Sequence, residues 1–484
     1  MLSNGRRSHF RQGTIWFALT TLLLTGLLAC SSQAQQVGTS KTTSSSPKQT
    51  SPAIVRQIPL PTAKPIPAAV FSQHMLQPVV VDGVAYVGTV DNAIYALRTS
   101  DGKLLWRTPL DGSVDEPAVV SDGMLYVSSY AGQNGPANVH ALRISDGKQV
   151  WEYHGDNNYI PAPVVANGLV YISTFDGLVA LRASDGAKVW EFATHYQANF
   201  SDVTNGVIYA SESAGQNGPG TAYALQANDG KLLWKYTANT SLDPAYVVGN
   251  VAYVGGWNGM MYALQVSDGK LLWQRMLTGL QTDMQEVHGV LYILTQKIAY
   301  PTSLSGGIAA LDAPLFQPSI PSKQIYSYLY ALQASSGRVL WQYALNGGQE
   351  GYANGFSLDN GMVYGSDASF TNNNSDQGII YAVRSADGSL AWKDEVKSNV
   401  NNAQIANGIV YVSSGSSTGD GTVLYAVREQ DGSLLWSYPF QAQTTGTATI
   451  IGSTVYIGAD NGMFYALSAS DGKLLWHFQT TVSA

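Results

Sequence analysis

A frame of twelve residues returns nine times in this chain and constrains its fold more than any other feature. Its fullest form is Tyr262-Ala-Leu-Gln-Val-Ser-Asp-Gly-Lys-Leu-Leu-Trp273. The frame ends at Trp106, Trp151, Trp190, Trp234, Trp273, Trp341, Trp392, Trp436 and Trp476. Its second residue is always alanine (Ala96 to Ala466) and its eighth always glycine (Gly102 to Gly472). The steps between tryptophans are 45, 39, 44, 39, 68, 51, 44 and 40 residues. A period near forty with strand-type units marks a closed or stacked repeat architecture.

The frame reads as a hairpin. Tyr-Ala-Leu is a short strand whose side chains alternate between faces. Ser-Asp-Gly is the turn, with glycine free to take a positive φ. Lys-Leu-Leu-Trp is the returning strand. A second hairpin precedes each frame, as in Tyr246-Val-Val-Gly-Asn-Val-Ala-Tyr-Val254. One unit is therefore four antiparallel strands. Runs such as Pro78-Val-Val-Val81 are apolar on both faces, as sheets packed between neighbours require. The expected fold is an all-β propeller of four-stranded blades, eight or nine in number, in which each Trp docks one blade on the next.

The repeat resembles the pyrroloquinoline-quinone (PQQ) type propeller repeat, A-x-x-x-x-G-x-x-x-W, over residues of about 78 to 480. It does not resemble WD40 repeats, because none of the eleven tryptophans is followed by aspartate. The resemblance implies a family that spans quinoprotein dehydrogenases and non-enzymatic propellers. Among the latter is the lipoprotein of the bacterial outer-membrane barrel-assembly machinery.

Residues 1–29 read as a lipoprotein signal peptide, with Arg6, Arg7 and Arg11 before an apolar stretch from Ile15 to Leu28. Leu27-Leu28-Ala29-Cys30 matches the bacterial lipobox, and Cys30 is the only cysteine, so lipidation is expected there. Without residues 1–29 the chain keeps 23 basic against 33 acidic residues, a net −10. Residues 30–67 are rich in Ser, Thr, Gln and Pro and read as a disordered tether, leaving 68–484 as the propeller. The expected location is the extracytoplasmic side of a bacterial membrane, with the lipid as anchor. Only 12% of residues are Asp, Glu, Lys or Arg, about half the usual ~25%, and no basic run suggests nucleic acid.

Insertions cluster between the second and third strands of the units, and in repeat proteins such insertions share one face. Units two and four carry the same insert, Ala131-Gly-Gln-Asn-Gly-Pro136 and Ala214-Gly-Gln-Asn-Gly-Pro219. The largest spans roughly 295–327 in unit six. Its Leu315 and Phe316 either meet a partner or pack on the neighbouring blade. The loops into the next unit open on the same side. Asn157, Tyr159, His195, Tyr196, Glu350, Tyr352 and Asn401 complete the candidate binding face, read either as a recognition surface or as ordinary solvated loops.

Chemistry is sparse. The seven histidines show no metal spacing, and no metal is expected. Gly415-Ser-Ser-Thr-Gly419 fits G-x-S-x-G but lies in a strand-to-strand loop, and Asn372, Asn374 and Asp376 lack the acid a calcium loop needs. The resemblance implies a vicinal disulfide and a haem motif in many quinoprotein dehydrogenases, and both are absent here. Asp115, Asp243 and Asp283 read as turn caps at inner strands rather than bases, so no catalytic residue is assigned. The expectation is a non-catalytic, monomeric scaffold or envelope-assembly factor without cofactor that binds a protein or envelope component. The alternative is a PQQ-dependent dehydrogenase or PQQ-binding sensor, with calcium.

Overall fold

The computed structural model describes Ile54–Ile58 and residues 77–480, except 90, 115, 132–134, 156–159, 216–217, 300–323, 346–350, 371–375, 397, 416–421 and 443–444. The strands form nine sheets in chain order, each built from one repeat unit. They close as a nine-bladed propeller, which resolves the count left open by the sequence.

Blade 4 shows the local logic. Its first hairpin turns at Asn205 (φ 51°) and Gly206 (φ 76°), the paired positive angles of a tight hairpin that only Gly, Asn and Asp adopt readily. Its second hairpin turns at Asp229-Gly230, where the Asp229 carboxylate accepts the Lys231 N–H at 3.1 Å. The fourth strand, Leu232–Ala238, is the outer edge. Leu232 and Leu233 therefore face outward, while Trp234 turns into the seam with blade 5.

The core is distributed over nine seams, each with its own cluster of buried residues. One joint recurs in all of them. The tryptophan Nε1–H donates to a backbone carbonyl of the following blade at 2.7–2.9 Å. Its ring lies over the frame glycine of that blade: a Cβ there would stand 2.5–2.8 Å from the indole. A second-strand tyrosine of the tryptophan's own blade packs against it, ring centroids 5.8–6.0 Å apart. The glycine thus serves the turn and also seats the neighbour's indole.

Among the described residues no blade shares strands across the chain ends, and side chains close the ring. Trp476 donates to Thr99 O at 2.7 Å, Thr449 Oγ1 to Pro78 O at 3.2 Å, and Tyr456 and Phe464 pack with Ala85 and Val87.

One strand lies inside the segment that reads as tether. Ile54–Ile58 pairs in parallel with the outer strand of blade 7, Leu390–Val396, from Ile54↔Trp392 to Ile58↔Val396. Ile54-Val-Arg-Gln-Ile58 is rich in β-branched residues, and an open edge offers it unpaired backbone groups.

Candidate functional site

The mouth of the propeller is built from the connections between second and third strands and between consecutive blades. Blade 3 has a tight one, from Thr174 to Gly177. The Thr194 N–H donates to Asp176 O at 2.8 Å, which brings this turn against the loop that follows the fourth strand. Phe175 (64% exposed) lies on this turn and Tyr196 (47% exposed) on that loop. The adjoining blades 2 and 4 carry the two identical inserts. Both are closed alike, by Ala131 N–H to Pro136 O at 3.3 Å and Ala214 N–H to Pro219 O at 3.4 Å. His195 is exposed beside Tyr196, and its backbone N–H donates to Glu212 Oε2 at 3.1 Å. Glu212 Oε1 accepts from the Tyr223 hydroxyl at 2.7 Å. Burial, with this carboxylate beside it, pushes that hydroxyl above the ordinary range.

The remaining candidates of the sequence reading separate. Cys30, Asn157, Tyr159, Leu315, Phe316 and Glu350 lie outside the described residues. Tyr352 is half-buried in the first strand of blade 7, and burial raises its hydroxyl pKa. Asn401 uses its amide within the ring, donating to Ser413 Oγ at 3.0 Å and to Thr445 O of blade 9 at 2.9 Å. Asn354 donates likewise to Val400 O. Part of the Asn-rich mouth thus ties blades together. Phe175 precedes Asp176-Gly177, a pair whose local signal is only that of a tight turn. The available signal was an aromatic side chain at a turn that offers it no packing.

Closer to the axis lie two carboxyls that the sequence reads as turn caps. Asp243 Oδ1 accepts from Trp257 Nε1 at 2.8 Å, and Asp283 Oδ2 from the Phe356 N–H at 3.2 Å. Burial pushes each up to about 7, and neither has an ion-pair partner among the described residues. Asp367, 1% exposed in the seam between blades 6 and 7, is raised to about 7 by burial as well, although Lys393 acts in the opposite direction. On blade 2, Asp111, His140 and Glu152 come together from a loop and two strands, which no sequence spacing indicated. Burial pushes the Asp111 carboxyl up, but Ser129, His140 and Asn138 stabilise its anion and hold it below the usual range.

The PQQ_2 family model, described as outer membrane protein assembly factor BamB, matches residues 56–162, 137–313 and 326–484. No curated protein matches the chain. BamB from Moraxella catarrhalis is 14% identical with a TM-score of 0.47, over 72% of this chain and 95% of that one. A quinohemoprotein alcohol dehydrogenase from Comamonas testosteroni is 14% identical with a TM-score of 0.48, over 79% and 76%. The dihydro-heme d1 dehydrogenase NirN, in complex with DHE, is 12% identical with a TM-score of 0.51, over 78% and 79%, and shares the fold.

Proposed function

Because the chain belongs to the PQQ_2 family, whose model bears the description outer membrane protein assembly factor BamB, we propose that it is a non-catalytic propeller of the bacterial envelope that binds another protein. Cys30 anchors it through lipid, and residues 31–53 tether the ring to the membrane. The observation that carries the reading is the family match along nearly the whole propeller. The site we assign to the partner is the face over blades 2 to 4, where Phe175, His195 and Tyr196 are exposed between two equal inserts. Exposed aromatics in a polar setting supply the buried anchors on which protein interfaces depend.

The test is site-specific photo-crosslinking in cells, with the crosslinker at Phe175 or Tyr196 and, as a control, at Leu475 on the outer rim. A discrete adduct at the two mouth positions that is absent at the rim supports the assignment. Adducts of equal pattern at all three positions refute it. For the anchor, Cys30→Ala should move the protein from the membrane to the soluble fraction, and an unchanged distribution would exclude lipid attachment there. Purified protein given PQQ and calcium should not reduce an artificial electron acceptor with alcohols or aldoses. Stoichiometric quinone binding with turnover would reverse the reading.

A further inference from the structure

Blade 2 departs from the repeat at one telling position. Seven of the nine units begin the twelve-residue frame with tyrosine, whereas unit two begins it with His140. This imidazole is 2% exposed, on the face that packs toward blade 1. Side chains from a loop, from its own strand and from the neighbouring strand gather around it. Asp111 comes from the loop between blades 1 and 2, Asn138 lies two residues earlier on the same strand, and Glu152 lies directly across the pair, at His140↔Glu152.

We propose that Asp111, His140 and Glu152 bind a divalent transition-metal ion of the zinc class. One ligand atom from each of the three lies within 4.8 Å of the others. Tetrahedral ligands held ~2.0–2.2 Å from one ion stand about 3.3–3.6 Å apart, so side-chain movements of up to about 1 Å close the set. His140 Nε2 already stands 3.1 Å from Asp111 Oδ1, close to the edge of a tetrahedral zinc site. One imidazole and two carboxylates suit zinc better than calcium or magnesium, which prefer oxygen alone.

The surroundings support the ion independently. A metal-bound imidazole is usually oriented by a bond from its other nitrogen. Here His140 Nδ1 faces Gln149 Oε1 at 3.0 Å, and Gln149 Nε2 in turn donates to Glu152 Oε2 at 2.9 Å. Nδ1–H is thereby spent on Gln149, with Glu152 Oε1 3.9 Å away on the same side, and Nε2, which faces Asp111 Oδ1 and lies 2.8 Å from Ser129 Oγ, is the nitrogen that would take the metal in place of the Ser129 contact. Ser129 Oγ donates to Asp111 Oδ1 at 2.6 Å and steadies that carboxylate. Asn138 is also 2% exposed, and its Oδ1 has no hydrogen-bond partner, while its Nδ2 donates to Asp111 Oδ2 and, at 3.3 Å, to Glu152 Oε1. An amide oxygen and nitrogen exchange places by a half-turn about the last torsion. That half-turn would aim a buried orphan oxygen between the two carboxylates, where only a cation makes it favourable. His154 Nδ1, exposed and 3.5 Å from Glu152 Oε1, stands at the open side of the set.

The experiment uses the full-length protein without an affinity tag. Calorimetric titration with zinc chloride should give one ion per chain, and cobalt in its place should give the visible absorption of a low-coordinate site. His140→Tyr restores the residue that seven other blades carry and should fold like the parent. It should weaken zinc binding by at least 100-fold and abolish the cobalt band, and Asp111→Asn should do the same. His154→Ala controls for adventitious surface binding and should change the affinity less than 10-fold. Absence of one-to-one binding by the parent, or undiminished binding by folded His140→Tyr, would overturn the assignment.

Discussion

The blade joint allows two glycines of one blade to be set against each other. Gly206 and Gly230 both have positive φ, 76° and 71°. A Cβ at Gly206 would meet nothing within 4 Å, whereas at Gly230 it would stand 2.6 Å from Cε3 of Trp190. Gly206→Ala therefore costs only the left-handed backbone conformation, about 1–2 kcal/mol. Gly230→Ala costs this and also moves the indole by about 1 Å, since carbon atoms pack at ~3.5–4.0 Å. Trp190 Nε1–H donates to Ala227 O at 2.9 Å, and losing that buried bond adds about 1–3 kcal/mol. The expected cost at Gly230 is thus about 2–5 kcal/mol, about 1–3 kcal/mol more than at Gly206. Urea unfolding followed by tryptophan fluorescence measures both. Equal midpoints for the two variants would show that the frame glycine serves only its own turn and that the indole contact is incidental.

Three further outcomes follow from the same structure. Asp367 titrates at about 7 when folded but near 3.8 when unfolded, so folding takes up a proton between those values. Its contribution should fall by up to about 4 kcal/mol as pH rises from 4 to 7 and stay level above. Asp367→Asn should match the parent at pH 4 and exceed it at pH 8 in thermal unfolding, and a variant less stable at pH 8 would contradict this. Removing residues 1–60 should uncover the outer edge of blade 7, speed hydrogen exchange in Trp392–Val396 and promote self-association seen by light scattering, while the melting temperature stays within a few degrees; unchanged exchange there would mean that Ile54–Ile58 does not protect that edge. Trp476→Ala removes the closing joint and a half-buried indole, so it should cost about 3 kcal/mol and make the seam of blades 9 and 1 the first to exchange; uniform exchange across all seams would refute this order.

The sequence by itself determined the unit: its strands, its Asn-Gly and Asp-Gly turns, and the tryptophan that ends it. Those are interactions between residues a few positions apart, repeated nine times, so the pattern rises above chance. The position of the insertions on one face follows from the same repetition. Only the tertiary structure decided that nine units close without a shared blade, because closure depends on the small rotation accumulated at each seam. It alone showed that the frame glycine is a seat for the preceding blade's indole, a contact between residues such as Trp190 and Gly230, which lie in different blades. It alone joined Asp111 to His140, 29 residues away, and turned Asn401 from a presumed recognition residue into a link between blades 8 and 9. One backbone hydrogen bond, from Thr194 N–H to Asp176 O, draws the turn that carries Phe175 to the segment that leads to Tyr196. In each case the deciding atoms belong to different hairpins, and what brings them together is the register of the strands and the curvature of the ring.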